Sequence, residues 1–286
     1  MILENEKLRV NAKAEGAELT SIYDKTLQRE CLWTADPAYW ASHAPVLFPV
    51  VGRCQGNRYR YRGQEYELGQ HGFARTSTFE VEESTSNRLV FVLRDTEETR
   101  KAYPFAFCLR VIYELEDDQV TVRYEVENPS ESEPMYFSIG GHPGFLFEGP
   151  LEKQIFTFSE KENMDRLLLA DIGQFSRRVE KDYVKDGESI AITPTLFEHD
   201  ALVFYGFRSE EIGLINKESG HGVIMNIKGF PYVGLWSKPG APYACIEPWY
   251  GLADYEDFFG ELPEKDGIES LEAGKTFVCS YRMKFV

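Results

Sequence analysis

Hydrophobic and polar residues alternate with period two over much of this chain. At positions 119–128, Val120, Val122, Tyr124 and Val126 fall on one side, and Thr121, Arg123, Glu125 and Glu127 on the other. Such alternation describes a half-buried β-strand. Just before it, Phe105, Phe107, Leu109, Val111, Tyr113 and Leu115 alternate with mostly smaller or polar neighbours. Asp117-Asp118 between the two runs reads as a hairpin turn. Further strands are predicted over residues 88–94, 201–207, 223–230 and 276–285, and a second hairpin over residues 57–61 and 64–68 around Arg62-Gly63. Helical periodicity is scarce, and residues 162–170 are its best candidate.

These elements predict an all-β fold, a large antiparallel β-sandwich forming one domain over residues 1–286. No Pro/Gly/Ser-rich linker divides the chain, and no internal repeat is visible. Turns rich in Gly, Pro, Asn and Asp leave little room for βαβ units. No Gly-rich loop of the Walker or dinucleotide type occurs, so ATP and NAD are poor guesses.

Composition narrows the partners. Lys plus Arg total 31 against 47 Asp plus Glu among 286 residues, a formal net charge of −16. Nucleic acid and anionic membrane surfaces need a basic face and are disfavoured. Aromatic residues reach 14%, with 16 Tyr and 20 Phe, which favours β-structure and aromatic-lined clefts. The cysteines, Cys31, Cys54, Cys108, Cys245 and Cys279, are odd in number and scattered, with no C-x-x-C pair. That argues for reduced thiols in a cytoplasm rather than a disulfide framework or a cysteine zinc site. The first residues lack a basic region followed by an apolar core, so no signal peptide is expected. No stretch approaches the roughly 20 apolar residues of a membrane-spanning helix.

Candidate chemistry concentrates in three places. His71 lies in Gln70-His71-Gly72-Phe73-Ala74-Arg75, and His142 in Gly140-Gly141-His142-Pro143-Gly144-Phe145. Glycine permits close approach of backbone or ligand, so a side chain there can project into a cleft; a turn histidine with a structural hydrogen bond is the plainer reading. Glu247 lies in the apolar, aromatic run Ala244-Cys245-Ile246-Glu247-Pro248-Trp249-Tyr250-Gly251. A carboxylate buried there needs a cationic partner, a hydrogen-bond network or a raised pKa. Arg53 could supply a structural salt bridge. Trp33, Trp40, Phe73, Phe145, Trp236, Trp249 and Tyr250 offer flat surfaces for a sugar ring, or simply fill a core.

Taken together, these segments resemble the aldose 1-epimerase (galactose mutarotase-like) family, closest to its LacX-like branch. The resemblance begins at Gly16-Ala17-Glu18-Leu19-Thr20-Ser21-Ile22. It continues through Leu32-Trp33 and Ala44-Pro45-Val46-Leu47-Phe48-Pro49-Val50-Val51-Gly52-Arg53 to the His71, His142 and Glu247 blocks. It implies a large antiparallel β-sandwich that interconverts the α and β anomers of an aldose. On this resemblance His142 matches the general acid and Glu247 the general base, while Arg53 and His71 hold sugar hydroxyls and the ring oxygen. Asp200, in Phe197-Glu198-His199-Asp200-Ala201-Leu202, matches the hydroxyl-binding aspartate, in a local pattern that differs from that of the galactose enzymes.

Such chemistry needs proton transfer alone, so neither metal nor cofactor is expected. An ionised Glu247 and a protonated His142 would favour each other's charge. Three other readings stay open. A sugar-binding protein would use the aromatic walls without turnover. A metalloenzyme could use His71, His142 and Glu247 as two histidines and a carboxylate. A glycosidase would need a second carboxylate, Asp200 or Asp254. A phosphorylated sugar would want converging arginines, for which Arg53, Arg58 and Arg75 are available.

Overall fold

The computed structural model describes residues 1–170 and 173–286. Apart from the short α-helix Glu97–Ala102 and four single 3-10 turns, the regular elements among the described residues are β-strands. Fifteen strands share one antiparallel sheet. Its main path runs Val46–Leu47, Ile139–Gly141, Tyr243–Tyr250, Tyr232–Trp236, Leu202–Tyr205, Gln154–Leu169 and Glu211–Asn216. It continues through Gly222–Asn226, Thr276–Phe285, Gln119–Glu127, Cys108–Glu116, Arg88–Arg94 and Glu80–Ser84. Gly144–Leu146 adds to Tyr243–Tyr250, and Phe175–Ala191 pairs with Gln154–Leu169. A four-stranded sheet over Ile2–Glu4, Leu8–Ala12, Leu19–Asp24 and Arg29–Glu30 and two small ribbons complete the set.

A sheet this wide twists and curls onto itself. Aromatic rings from segments outside the wide sheet pack on its strand Thr276–Phe285, with Phe230 6.2 Å from Tyr281 and Phe137 5.4 Å from Phe277 between centroids. Alternation explains the far half well: Val120, Val122, Tyr124 and Val126 are all buried. The expected hairpins are present with their turns. Glu116 pairs with Gln119 and Tyr61 with Gln64, and Asp117, Arg62 and Gly63 all adopt positive φ, the backbone that tight two-residue hairpins require. Two predicted strands, Arg88–Arg94 and Thr276–Phe285, have the expected bounds. No helix among the described residues is long and apolar enough to cross a membrane.

The helix expected over residues 162–170 is absent; residues 162–169 are the second half of the strand Gln154–Leu169. Met164 and Leu167 are both buried, a helical spacing of three. The register against Phe175–Ala191 shifts between Met164 and Arg166, but the two side chains bury in different clusters, Met164 in the main core and Leu167 in the smaller cluster with Val203 and Trp249. A strand covered on both faces can imitate a helical period. Glu162 sits at another such shift, 1% exposed, and its Oε1 accepts from the N–H groups of Arg208 (2.9 Å) and Ser209 (2.6 Å).

The strand Tyr243–Tyr250 departs from alternation for a different reason: both its faces are covered. Ala244 and Ile246 join the main core, whereas Tyr243, Cys245 and Trp249 join two smaller clusters on the opposite side. Glu247 shares that opposite side, which is where the cavity described below opens.

Removing the Glu162 carboxylate leaves the buried Ser209 N–H and the partly buried Arg208 N–H without this partner. Glu162→Ala is expected to lower unfolding free energy by about 2–4 kcal/mol. Glu160→Ala, on an exposed neighbour, should stay within about 0.5 kcal/mol. Urea titrations of both variants check this.

Candidate active site

His71 is held by a stitched pair of loops. Its N–H donates to Gly52 O (2.7 Å), and the N–H groups of Phe73 and Ala74 both donate to Phe48 O (3.1 Å). In return, Gly52 N–H donates to His71 Nδ1 (3.0 Å). His71 and Gly72 both have positive φ, 64° and 70°. At Gly72 a Cβ would lie 2.2 Å from Phe48 O, so this approach requires glycine. Because Nδ1 accepts, the neutral ring carries its proton on Nε2. Burial, aided by the charges of Arg75 and Arg53, holds the His71 pKa down to about 3. Gln70 Nε2 lies 3.3 Å from that ring nitrogen, while Gln70 Oε1 accepts from Arg53 Nη2 (3.0 Å). Two donors therefore stand side by side with no acceptor between them, a setting for a ligand oxygen.

His142 follows the strand Ile139–Gly141. Its N–H donates to Pro45 O (3.1 Å), and Gly144 N–H donates to His43 O (2.9 Å). The loop that accepts these bonds is anchored by Glu18, 5% exposed, whose Oε1 accepts from the N–H groups of His43 (2.7 Å) and Ala44 (3.1 Å). Burial pushes the Glu18 carboxyl up. The His43 ring 3.7 Å away, Lys13 at 2.8 Å and the two N–H groups outweigh burial and bring it to about 2. Above that loop the imidazole of His142 stacks on Trp40, with centroids 4.7 Å apart, and meets the edge of Trp236 at 5.6 Å and of His71 at 5.9 Å. The ring is thus fixed in plane and direction.

Glu247 lies on Tyr243–Tyr250 directly opposite Gly234. A Cβ at Gly234 would come within 2.7 Å of the Trp249 ring, so the missing side chain makes room for that indole beside the carboxyl. Glu247 Oε2 is 3.2 Å from His142 Nε2, and the two side chains are 2% and 11% exposed. Burial drives the Glu247 pKa well above the usual carboxylate range, and the nearby Asp200 charge adds to this. Trp249, whose buried Nε1 makes no regular hydrogen bond, works the other way. Burial likewise drives His142 well below the usual imidazole range, assisted by His71 and Arg75. Burial thus opposes the ion pair expected from the sequence, raising Glu247 and lowering His142, and so favours the neutral pair over the charged one. Two charges in so dry a place cost more than their attraction returns.

The cavity over this pair has a volume of about 320 Å³, within the range of small-molecule sites. His71, Gln70, Arg75, His142, Asp200 and Glu247 supply its polar lining, and Trp40, Trp236 and Trp249 its flat walls. Asp200, with φ 72°, stands at the rim just before the strand Leu202–Tyr205. Four of the five residues singled out from the sequence thus converge. Arg53 does not line the cavity and makes no ion pair with Glu247; it backs Gln70 from behind. Arg75 lines the cavity instead, with no acidic partner among the described residues. Arg58 lines a separate hollow with Tyr59 and Phe258 and pairs with Glu67 at 2.9 Å, so the three arginines do not converge. Asp254 is buried against Lys265 (2.5 Å) and accepts from Gln55 N–H (2.7 Å), a structural role that removes it as a second glycosidase carboxylate. The metal-competent grouping of His71, His142 and Glu247 is not assembled either, since His71 Nδ1 is engaged by Gly52. Gln70 and the His142-clamping role of Trp40 and Trp236 were not expected from the sequence, in which Arg75 stood out only as one of three available arginines.

A family model described as aldose 1-epimerase matches residues 1–283. The LacX protein encoded on a plasmid of Lactococcus lactis subsp. lactis is 33% identical over 262 residues, covering 88% of this chain and 87% of that protein. Two solved structures are similar over the whole chain. A galactose mutarotase related enzyme from Lactobacillus acidophilus has TM-score 0.93 and 36% identity, with 97% of it covered. A galactose mutarotase-like protein from Lactobacillus casei has TM-score 0.94 and 28% identity, with 99% covered.

The Glu18 anchor has a pH signature. Its folded pKa lies below its unfolded value, so its contribution is complete above about pH 4.5 and is lost as pH falls through about 2. The shift corresponds to roughly 3 kcal/mol. In denaturant titrations the stability gap between wild type and Glu18→Gln is expected to shrink steadily across that window. A gap independent of pH would show that the Glu18 charge does not hold the loop.

Proposed function

The chain belongs to the aldose 1-epimerase family, and from that premise we propose that His142 and Glu247 interconvert sugar anomers by exchanging one proton pair with the substrate. The protein is an aldose epimerase-like isomerase. The observation that carries the proposed mechanism is the 3.2 Å contact between His142 Nε2 and Glu247 Oε2 at the floor of an aromatic-walled cavity. Glu247 removes the proton of the C1 hydroxyl while His142 protonates the ring oxygen, and the C1–O5 bond breaks. Rotation about C1–C2 turns the other carbonyl face toward the C5 hydroxyl, and reversal of both transfers closes the opposite anomer. Protons balance: opening converts the charged pair into the neutral pair, and closure restores it.

Burial favours that neutral pair, so ring opening discharges an arrangement the protein itself disfavours. The bound sugar must then support the charged starting pair. The Nε2–H of His71, the Gln70 amide and Arg75 donate to sugar oxygens, and Asp200 accepts from hydroxyls. Arg53 acts through Gln70 as a positioning residue. Arg75 is also the group that would meet an anionic substituent, so free and phosphorylated aldoses are both substrate candidates. Five free, buried cysteines support a reducing, cytoplasmic setting.

Polarimetry or NMR anomer exchange across glucose, galactose, arabinose, xylose and their 6-phosphates tests the reading, and only buffer rates across that panel would sink it. Glu247→Gln and His142→Asn should each lower kcat by about 10²-fold or more. His71→Asn and Arg75→Met should act more on KM.

The pH profile of kcat/KM should be a bell, because the pair must hold one proton. The acidic limb reports a second proton reaching the pair, and the basic limb reports loss of the one it holds. His142→Asn leaves Glu247 as the titrating base, so its residual activity should keep an acidic limb and lose the basic one. A basic limb that survives unchanged in His142→Asn would remove His142 as the titrating acid.

A further inference from the structure

Cys245 takes no part in the proposed chemistry, yet it sits beside it. It precedes Glu247 by two residues on one strand, so both side chains leave the same face. Across the sheet it pairs with Trp236 on one side and Gly144 on the other, the two segments that flank His142. Among the described residues, His142, Cys245 and Glu247 form the one group of three whose possible ligand atoms all lie within 4.8 Å of one another.

We propose that this triad is a binding site for a borderline-soft divalent cation such as Zn²⁺, which occupies the cavity floor and blocks the sugar reaction. One imidazole, one thiolate and one carboxylate are the donor types zinc prefers, and they do not suit Mg²⁺ or Ca²⁺. Zinc bonds of about 2.0–2.3 Å place tetrahedral ligands roughly 3.5 Å apart. The His142–Glu247 contact of 3.2 Å is already near that spacing, and the triad needs only a small contraction. Two of the three ligands, His142 and Glu247, line the cavity, and Cys245 lies behind them. Trp40 and Trp236 clamp the imidazole so that Nε2 is its presented nitrogen.

Charge also balances. Ligation releases the thiol proton and the proton shared by His142 and Glu247 to solvent, and the resulting thiolate and carboxylate neutralise the divalent ion. The cation then occupies both the Nε2 lone pair and the carboxylate that the sugar needs. Binding itself is independent of the proposed roles of His142 and Glu247; inhibition rests on them.

Chelator-treated protein is titrated with Zn²⁺ by calorimetry and with Co²⁺ by absorption spectroscopy. One ion per chain and a thiolate-to-cobalt charge-transfer band are expected. Loss of outer partners alone weakens metal sites by about 10–100-fold, so Cys245→Ala should weaken Zn²⁺ by at least about 10²-fold and abolish the band. The same variant should keep its sugar activity and resist a Zn²⁺ concentration that silences wild type, with EDTA restoring the wild type. If Cys245→Ala does not fold, Glu247→Gln is titrated with Co²⁺, and a weakened band supports the site. Full Zn²⁺ affinity in Cys245→Ala, or no band in wild type at saturating Co²⁺, overturns it. Cobalt binding with the band but no sugar activity would sink the proposed function and leave the site standing.

Discussion

The strand Tyr243–Tyr250 has no face in water, and much else in the molecule answers to that fact. One side presses Ala244 and Ile246 into the core; the other presents Tyr243, Cys245, Glu247 and Trp249 to a second enclosed space. A carboxyl group on such a strand has no solvent to share its charge. It must take a partner, and His142 is the partner the sheet provides. Holding that partner in place draws in distant parts of the chain: the Pro45 carbonyl, the Glu18 carboxylate behind its loop, and the indoles of Trp40 and Trp236.

Much of the architecture was legible from local pattern. Thr276–Phe285 alternates cleanly because one face meets the core and the other meets water, whereas Arg88–Arg94 reads as a continuous apolar run because both its faces are covered. The pattern misleads where both faces of a strand are covered, as at Met164 and Leu167, which bury in different clusters. In the site, His71, His142 and Glu247 stood out by contrast with their neighbours, glycines around the first two and apolar residues around the third. Arg75 and Arg53 could not be ranked that way. Each follows a glycine-containing loop, and which guanidinium faces the cavity is decided by how the two loops lock together through Gly52 and Phe48. The balance of charge was likewise out of reach of sequence: residue types suggest an ion pair, and the depth of burial works against it.

The polar lining divides the work between donors and acceptors. His71, Gln70 and Arg75 stand on one side with hydrogens to give, and Asp200 stands on the rim with lone pairs. A polyol, every hydroxyl of which both donates and accepts, meets both kinds. The acidic surface of the chain, at net charge −16, does not extend to the His71 wall, where the nearby charges are the two arginines.

The long pair Gln154–Leu169 and Phe175–Ala191 is rooted in the sheet beside Glu211–Asn216, while Leu169, Gly173 and Phe175 at its other end reach the cavity wall. Asp200 also enters from a loop. The two residues proposed to exchange protons therefore belong to the sheet and its closest turns, and much of the rim belongs to segments that contribute little to the register around Glu247. Insertions or substitutions along that rim can reshape which sugar fits while leaving the reacting pair undisturbed. A fold wired this way can drift in specificity across descendants without having to reinvent its chemistry.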